Sequence, residues 1–335
     1  MKKKKWVYKR HKRIFNFFKK FFLNSYKKKY NFTFDKVNNQ EEPHLIICNH
    51  QTGIDQFLIA QVVNGPTYFV CTDDIMSIPF LSKLLKWGIN PIPYKKASTD
   101  LTFLRTCHQV VKEGGSIMIF PEGNRTYRGK TEFINPTISR MIKFLNIPLD
   151  ILNLEGGFGA FPRFANKARK GNIHISLKKT LSKEEIKNYS DEELNNIINQ
   201  ELMVEDYHTN YKYTSKNKAE YIERVLYRCP NCGLSKFISK GNFFWCETCK
   251  EKHEYKEDLT ITNSSFLYLS EWYDYQTKAL LCNKILDDTT SCLFKDIVKL
   301  YQVVNRGKKK LINTKVNIEY SSDNLIFFYK KNKLT

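Results

Sequence analysis

Leu45-Ile46-Ile47-Cys48-Asn49-His50-Gln51-Thr52-Gly53-Ile54-Asp55 is a short apolar run, a polar turn, and an acid that opens a second apolar run. Residues 45–48 read as a short buried strand and residues 55–63 as the start of a helix. Asn49 to Gly53 is then the turn, with Gly53 supplying an unusual backbone angle. His50 and Asp55 fall at the strand end and the helix start. Neutral imidazole is well suited to take a proton near neutral pH. A carboxylate on its other ring nitrogen fixes the tautomer and stabilises the imidazolium that forms. The same two residues could simply cap a turn and a helix, so the segment alone is weak evidence. No serine, cysteine or threonine is obviously placed as a covalent nucleophile. The pattern therefore favours direct attack by a hydroxyl that His50 activates.

A second segment, Phe120-Pro121-Glu122-Gly123-Asn124-Arg125, follows the buried-strand pattern Ser116-Ile117-Met118-Ile119. Pro121 ends the strand and Gly123 lets the chain reverse. Arg125 can hold anionic oxygens in its planar fork. Glu122 can hold a substrate hydroxyl or orient Arg125. The bland reading is a surface turn with its own Glu–Arg ion pair.

Taken in order, these blocks resemble the glycerolipid acyltransferases, the lysophosphatidate (1-acylglycerol-3-phosphate) acyltransferases and their glycerol-3-phosphate relatives. Asn-His-x4-Asp at 49–55 and Phe-Pro-Glu-Gly-x-Arg at 120–125 carry the resemblance. Two further blocks fit between and after them: Asp74-Ile75-Met76-Ser77-Ile78-Pro79-Phe80 through Ile92, and Asn146-Ile147-Pro148-Leu149-Asp150-Ile151-Leu152. The likeness spans about residues 10–180. It implies an α/β fold, a mixed sheet flanked by helices. It also implies His50 as general base, Asp55 as its partner, and Glu122, Gly123 and Arg125 in the acceptor-binding motif. The reaction implied is attack of a glycerolipid hydroxyl, as in a lysophospholipid, on the thioester of acyl-CoA or acyl carrier protein, with no catalytic cofactor. Departures fall in the phosphate-holding set. Thr72 stands where the family commonly has lysine, Tyr94 where it has arginine, and Asn124 where it has threonine. Lys95 or Lys96 is expected to replace the missing charge.

The chain has 335 residues and a net charge of +21, which points to an anionic partner. No acid occurs before Asp35. Ile14, Phe15, Phe17, Phe18, Phe21, Phe22 and Tyr26 recur at helical spacing among Lys12, Arg13, Lys19, Lys20, Lys27 and Lys28. Such a helix would lie in the headgroup plane of an anionic bilayer; the alternative is a helix packed on the domain with a solvated basic face. No apolar run reaches the roughly 20 residues that span a bilayer. The expected location is cytoplasmic, on the inner face of the cell membrane, and nucleic acid is not the expected partner.

Of nine cysteines, Cys48, Cys71, Cys107, Cys282 and Cys292 are scattered and read as buried apolar residues. Cys229 and Cys232, with Cys246 and Cys249, form two C-x2-C knuckles suited to one tetrahedral Zn2+. Four thiolates leave no open position, so such a zinc would be structural; His253 is expected at the surface. Ser182–Glu185 and Ser190–Glu193 look like capping boxes. Residues 205–222, polar and rich in tyrosine, would complete or wrap the preceding domain. Leu259–Thr262 and Lys315–Tyr320 alternate like strands, and residues 305–308 could turn a hairpin. The expected organisation is a membrane-surface segment at 1–30, an acyltransferase domain at 31–222, a zinc ribbon at 223–255 and a small β-rich region at 256–335. The rival reading is a catalytically inactive zinc-ribbon protein that docks on membrane or nucleic acid.

Overall fold

A computed structural model describes residues 5–37, 42–72, 79–94, 101–281, 294–304, 308–320, 325–329 and 332–334. Lys95 and Lys96, the start of the middle block at 74–78, Cys282, Cys292 and most of the expected 305–308 turn lie outside the described residues.

The centre is a seven-stranded sheet with β1 Thr33–Phe34, β2 Leu45–Cys48, β3 Thr67–Thr72, β4 Ile92–Tyr94, β5 Ser116–Ile119, β6 Leu149–Glu155 and β7 His174–Leu181. Its order is β1-β7-β6-β2-β5-β3-β4. All neighbours run parallel except β6 and β7. Helices α1 Lys9–Tyr30, α2 Asp55–Val62, α3 Pro79–Gly88, α4 Leu101–Lys112, α5 Ile138–Leu145, α6 Gly157–Ala160, α7 Lys183–Asn188 and α8 Asp191–Glu201 cover it. The expected mixed sheet flanked by helices is therefore what forms. Every residue of β2 and β5 is buried, as unbroken apolar runs in a parallel sheet require. Ile46, Cys48, Met118 and Leu152 point to one core. Leu45, Ile47, Ile117, Ile119 and Ile151 point to the other. This is the two-residue alternation of a strand.

The first of these cores does not stop at the sheet. It continues through Tyr207, Tyr213 and Ile222 into Phe237, Phe244, Tyr255 and Trp272. The tyrosine-rich stretch 205–222 thus completes the core. The Cys229–Cys249 region packs directly on it, with β8 Arg228–Cys229 and β9 Gly233–Leu234 forming the first knuckle. Strands β10 Phe237–Lys240, β11 Phe243–Cys246, β12 Lys252–Tyr255 and β13 Ile261–Thr262 make one antiparallel sheet that runs across residue 255. Helix α9, Leu269–Leu281, then buries Trp272 against the knuckle sheet. The expected β-rich stretch thus includes one helix, after β13. The rest is an antiparallel sheet of β14 Phe294–Val304, β15 Lys308–Tyr320, β16 Leu325–Tyr329 and β17 Asn332–Leu334.

Both expected capping boxes form. Ser190 accepts from the Glu193 amide, and the Glu193 carboxylate accepts from the Ser190 amide; Ser182 and Glu185 do the same. Replacing Ser190 with Ala should cost about 1 kcal/mol and replacing it with Gly only a few tenths, read as shifts in the urea midpoint. Equal losses for the two variants would deny the cap its role.

Candidate functional site

Parallel pairing of β2 with β5, in the register Ile47↔Ile119, brings the segments after both strands to one edge of the sheet. Ligands of open α/β sheets bind at this carboxyl edge. There His50 Nδ1 lies 2.8 Å from Asp55 Oδ2. Asp55 is fully buried, at the first residue of α2. Its Oδ2 also accepts from the amides of Gln51 at 2.7 Å and Thr52 at 2.8 Å, and its Oδ1 from Thr52 Oγ1 at 2.5 Å. A carboxylate so surrounded only accepts, so the imidazole hydrogen sits on Nδ1 and the lone pair on Nε2. The ring stacks on Phe120 at 4.0 Å, and its side chain keeps 19% exposure.

The Phe120–Arg125 segment meets the first one directly. Glu122 accepts from the His50 amide through Oε1 and from the Glu132 amide through Oε2, each at 2.7 Å. The Thr126 amide donates to the His50 carbonyl at 2.9 Å. Both oxygens of Glu122 are therefore spent on amides: it braces the loop rather than orienting Arg125, and no surface Glu122–Arg125 pair of the bland kind forms among the described residues. Burial pushes the Glu122 carboxyl up to about 8, with the Glu132 and Asp55 charges adding to it. Arg125 is half-buried and its guanidinium affinity for the proton is lowered, first by burial and then by Arg163. Gly53 turns out not to be a left-handed residue. A Cβ there would lie 3.3 Å from Arg125 Nη1, so any larger residue would press on the guanidinium, which would have to shift by a few tenths of an ångström. Gly123, at φ +68°, is the left-handed turn residue expected.

Three supporting residues were not singled out from the sequence. Asn49 accepts from the Leu154 amide at 2.7 Å and donates to the Leu154 carbonyl at 2.8 Å, extending the β2–β6 ladder with a side chain. Gln51 donates to Asp206 at 2.9 Å and accepts from the Phe158 amide at 3.1 Å. Asp206 is buried, accepts from the Gly156 amide at 2.8 Å, and is raised to about 6 by burial. Together they pin the turn after β6 to the His50 turn. The available signal was polar side chains flanking His50; the partner Asp206 is remote in sequence and gave none.

His50 stands in the wall of an open cavity of about 1720 Å3, large beside the roughly 300–1,000 Å3 of a usual small-molecule pocket. The other walls are mostly apolar and include Phe57, Leu84, Trp87, Phe133 and Phe144, with Arg13 and Arg140 among the lining cations. Helix α1 forms one flank. Its His11, Phe15 and Tyr30 are buried, with His11 Nδ1 2.9 Å from Tyr68 Oη. Phe17, Phe18 and Phe21 on the remaining faces are exposed, and rings four apart stack, Phe17 on Phe21 and Phe18 on Phe22. Thr72, the family's lysine position, lines the cavity without charge, as does Tyr94. No helix among the described residues is long and apolar enough to cross a membrane.

The four knuckle cysteines also converge. Their sulfurs all lie within 4.8 Å of one another, with Cys232–Cys246 at 3.4 Å and Cys229–Cys249 at 3.7 Å. A tetrahedron of roughly 2.3 Å metal–sulfur bonds has edges of about 3.8 Å, so the set fits one metal ion. Cys48 and Cys107 are buried as expected, whereas Cys71 is only half-buried. His253 corrects another expectation: it is 1% exposed, packed against Phe244 and Trp272 at 5.0 and 5.1 Å. Strand β12 alternates, and residue 253 falls on its inner face.

Fold and site together define an α/β domain with a histidine–carboxylate pair at its carboxyl edge, opening on an apolar cavity. Residues 29–149 match the family model described as Acyltransferase. Over 98 residues, 29% of this chain, it is 26% identical to the chloroplastic 1-acyl-sn-glycerol-3-phosphate acyltransferase BAT2 of Brassica napus. The Arabidopsis thaliana chloroplastic enzyme LPAT1 is 24% identical over 98 residues. These matches cover 28% and 27% of the two relatives' own lengths. Among solved structures, the 1-acyl-sn-glycerophosphate (LPA) acyltransferase PlsC of Thermotoga maritima aligns with a TM-score of 0.48 and 18% identity, over 56% of this chain and 75% of that one. Residues 29–149 thus match the Acyltransferase family model, and over part of its length this chain is similar to 1-acyl-sn-glycerol-3-phosphate acyltransferases, of which it spans less than a third.

Two measurements follow. Because Glu122 titrates near 8 when folded against an ordinary 4.5, the native state holds a proton that the unfolded chain releases. Its contribution to stability is full below pH 4.5 and is lost as pH rises toward 8. The urea midpoint of Glu122→Gln should therefore fall less steeply than wild type across that window; parallel curves would contradict the assignment. Protein purified without chelator should carry about one equivalent of metal, and Cys232→Ser should carry little. Metal content below that with free thiols intact would remove the metal site.

Proposed function

We propose that the protein is an acyltransferase that moves a fatty acyl group from acyl-CoA or acyl carrier protein to a hydroxyl of a glycerolipid acceptor such as 1-acylglycerol-3-phosphate, in phospholipid synthesis. One observation carries this reading: a histidine whose Nδ1 is held by a buried aspartate stands in the wall of a large apolar cavity. His50 Nε2 takes the proton of the acceptor hydroxyl as its oxygen attacks the thioester carbonyl. The new C–O bond gives a tetrahedral oxyanion. Its collapse breaks the C–S bond, and His50 returns the proton to the departing thiolate. Asp55 stabilises the imidazolium between those events. Arg125, half-buried beside Gly53, is the cation for the acceptor phosphate. Lys95 and Lys96 remain proposed as the replacement for the charge missing at Thr72 and Tyr94.

The membrane is the proposed source of the acceptor. The exposed Phe17, Phe18 and Phe21 sit beside Lys and Arg on a helix that also flanks the cavity, which suits insertion at an anionic surface. A peripheral position on the inner face of the cell membrane fits this, with the thioester arriving from solution. Zn2+ on Cys229, Cys232, Cys246 and Cys249 is proposed as structural, and the chemistry needs no cofactor.

The test uses the full chain with long-chain acyl-CoA and 1-acylglycerol-3-phosphate in anionic vesicles, following thiol release. Release should require the acceptor and fall about 10²–10⁴-fold in His50→Ala. Equal background for both proteins would favour the inactive docking protein instead.

A further inference from the structure

Helix α9 touches both the cysteine knuckle and the loop of residues 121–132. Trp272 and Gln276, one turn apart and fully buried, face the knuckle side. Trp272 Nε1 donates to the carbonyl of Arg228, the residue before Cys229, at 2.8 Å. Its ring meets Phe237, Phe244 and His253 of the knuckle sheet. Gln276 donates to the Val225 carbonyl at 2.7 Å and accepts from the Tyr227 amide at 3.2 Å. Tyr273 and Asp274, on the same helix, face the other way. Tyr273 stacks on Tyr127, whose ring carries the Arg163 guanidinium at 3.8 Å, and Arg163 donates to the Arg125 carbonyl at 3.0 Å. Asp274 accepts from Arg128, which also bonds Glu132. The Glu132 amide is the one held by Glu122, which holds the His50 amide.

Two contact chains therefore run from α9 into the active-site loop, one ending on the Arg125 backbone and one on the His50 backbone. We propose that α9, seated on the cysteine knuckle, positions the acceptor-binding loop, with Asp274 and Arg128 as positioning residues for the 121–132 segment that carries Arg125. The proposal rests on the acyltransferase reading for what Arg125 binds, but the geometry it claims is independent of that reading. Between Phe120 and Ile138 the chain has no helix or strand, and its one backbone bridge, Lys130↔Glu205, with the Thr131 amide on the Val204 carbonyl and the Asp206 amide on the Gly129 carbonyl, holds only the far end of the loop. The near end, residues 121–128, gains most from an outside brace. A metal on the four cysteines would fix the knuckle strands; the knuckle seats Trp272, and the helix carries that placement to Tyr273 and Asp274. Neither positioning residue touches the reacting atoms.

The experiment compares wild type with Asp274→Asn, Asp274→Glu and Cys249→Ser. Amide hydrogen exchange is read over residues 121–132, together with metal content, thermal midpoint and, with the acyl-CoA and 1-acylglycerol-3-phosphate assay, KM and kcat. Asp274→Asn should speed exchange in 121–132 and raise the acceptor KM about three- to tenfold, with kcat and the acyl-CoA KM nearly unchanged. Asp274→Glu should restore both, and metal content should stay at the wild-type level. Cys249→Ser should speed exchange in the same loop while the central strands stay protected. Wild-type exchange over 121–132 in Asp274→Asn would overturn the proposal, even if Cys249→Ser unfolds. Faster exchange in a chain that shows no acyl transfer at all would leave the brace standing and defeat the function assigned above.

Discussion

A buried carboxylate with four donors around it sets the terms for the rest of the site. Removing an ionised acid from water costs several kcal/mol unless its oxygens are satisfied. Asp55 meets that cost with two backbone amides, the Thr52 hydroxyl and the His50 imidazole. The two amides belong to the turn itself, so the chain between β2 and α2 has little freedom: it must coil around the acid that ends it. The negative charge also falls at the N-terminus of α2, where the helix dipole favours it. The fold and the chemistry share one constraint here. The interactions that shape the turn are those that fix the tautomer of His50.

The carboxylates that brace this region divide the work. Glu122 ties the second segment to the first through main-chain amides. Asp206 and Gln51 tie the turn after β6 to the same place. All of these bonds but the one between the Gln51 and Asp206 side chains join backbone to a side chain, and most span a long stretch of sequence, so local pairing of residues is not what holds the site. The apolar layers beneath supply the rigidity that such bonds need, since both faces of β2 and β5 are covered. A glycine at residue 157 belongs to the same design. A Cβ there would come within 2.5 Å of Gln51 Oε1.

What could be read from the chain alone was whatever local pattern encodes. Apolar runs marked β2 and β5, serine–glutamate spacing marked two helix starts, and cysteine spacing marked the knuckles. The His50–Asp55 pairing was open to a bland reading from the segment alone, and the resemblance of the ordered blocks is what favoured it. The partners of Glu122 were not legible. A buried acid can serve a ligand, a cation or the backbone, and only the fold shows that two amides are in reach. His253 was misjudged for a related reason. A histidine beside charged residues reads as surface, but the alternation of β12 and the later arrival of Trp272 decide its side. Gly53 was assigned the wrong virtue: what glycine provides there is space beside Arg125, and that depends on a residue from another strand's loop.

The cysteine knuckle presents a problem of scale. Its strands are two to four residues long, too short to hold one another by pairing alone. Two things compensate. Its aromatic side chains join the core of the central sheet through Tyr255 and Phe164, whose rings lie 6.3 Å apart, and the buried Arg169 guanidinium faces both rings. Of the four converging sulfurs, those of Cys229 and Cys246 belong to that shared core, whereas Cys232 and Cys249 are exposed. A metal there would tie the exposed pair to the packed pair. The arrangement explains why a small cysteine-knuckle unit can sit on the α/β sheet without a linker. It contributes apolar surface to a core that would otherwise be open, and in return receives the only large buried surface available to it among the described residues.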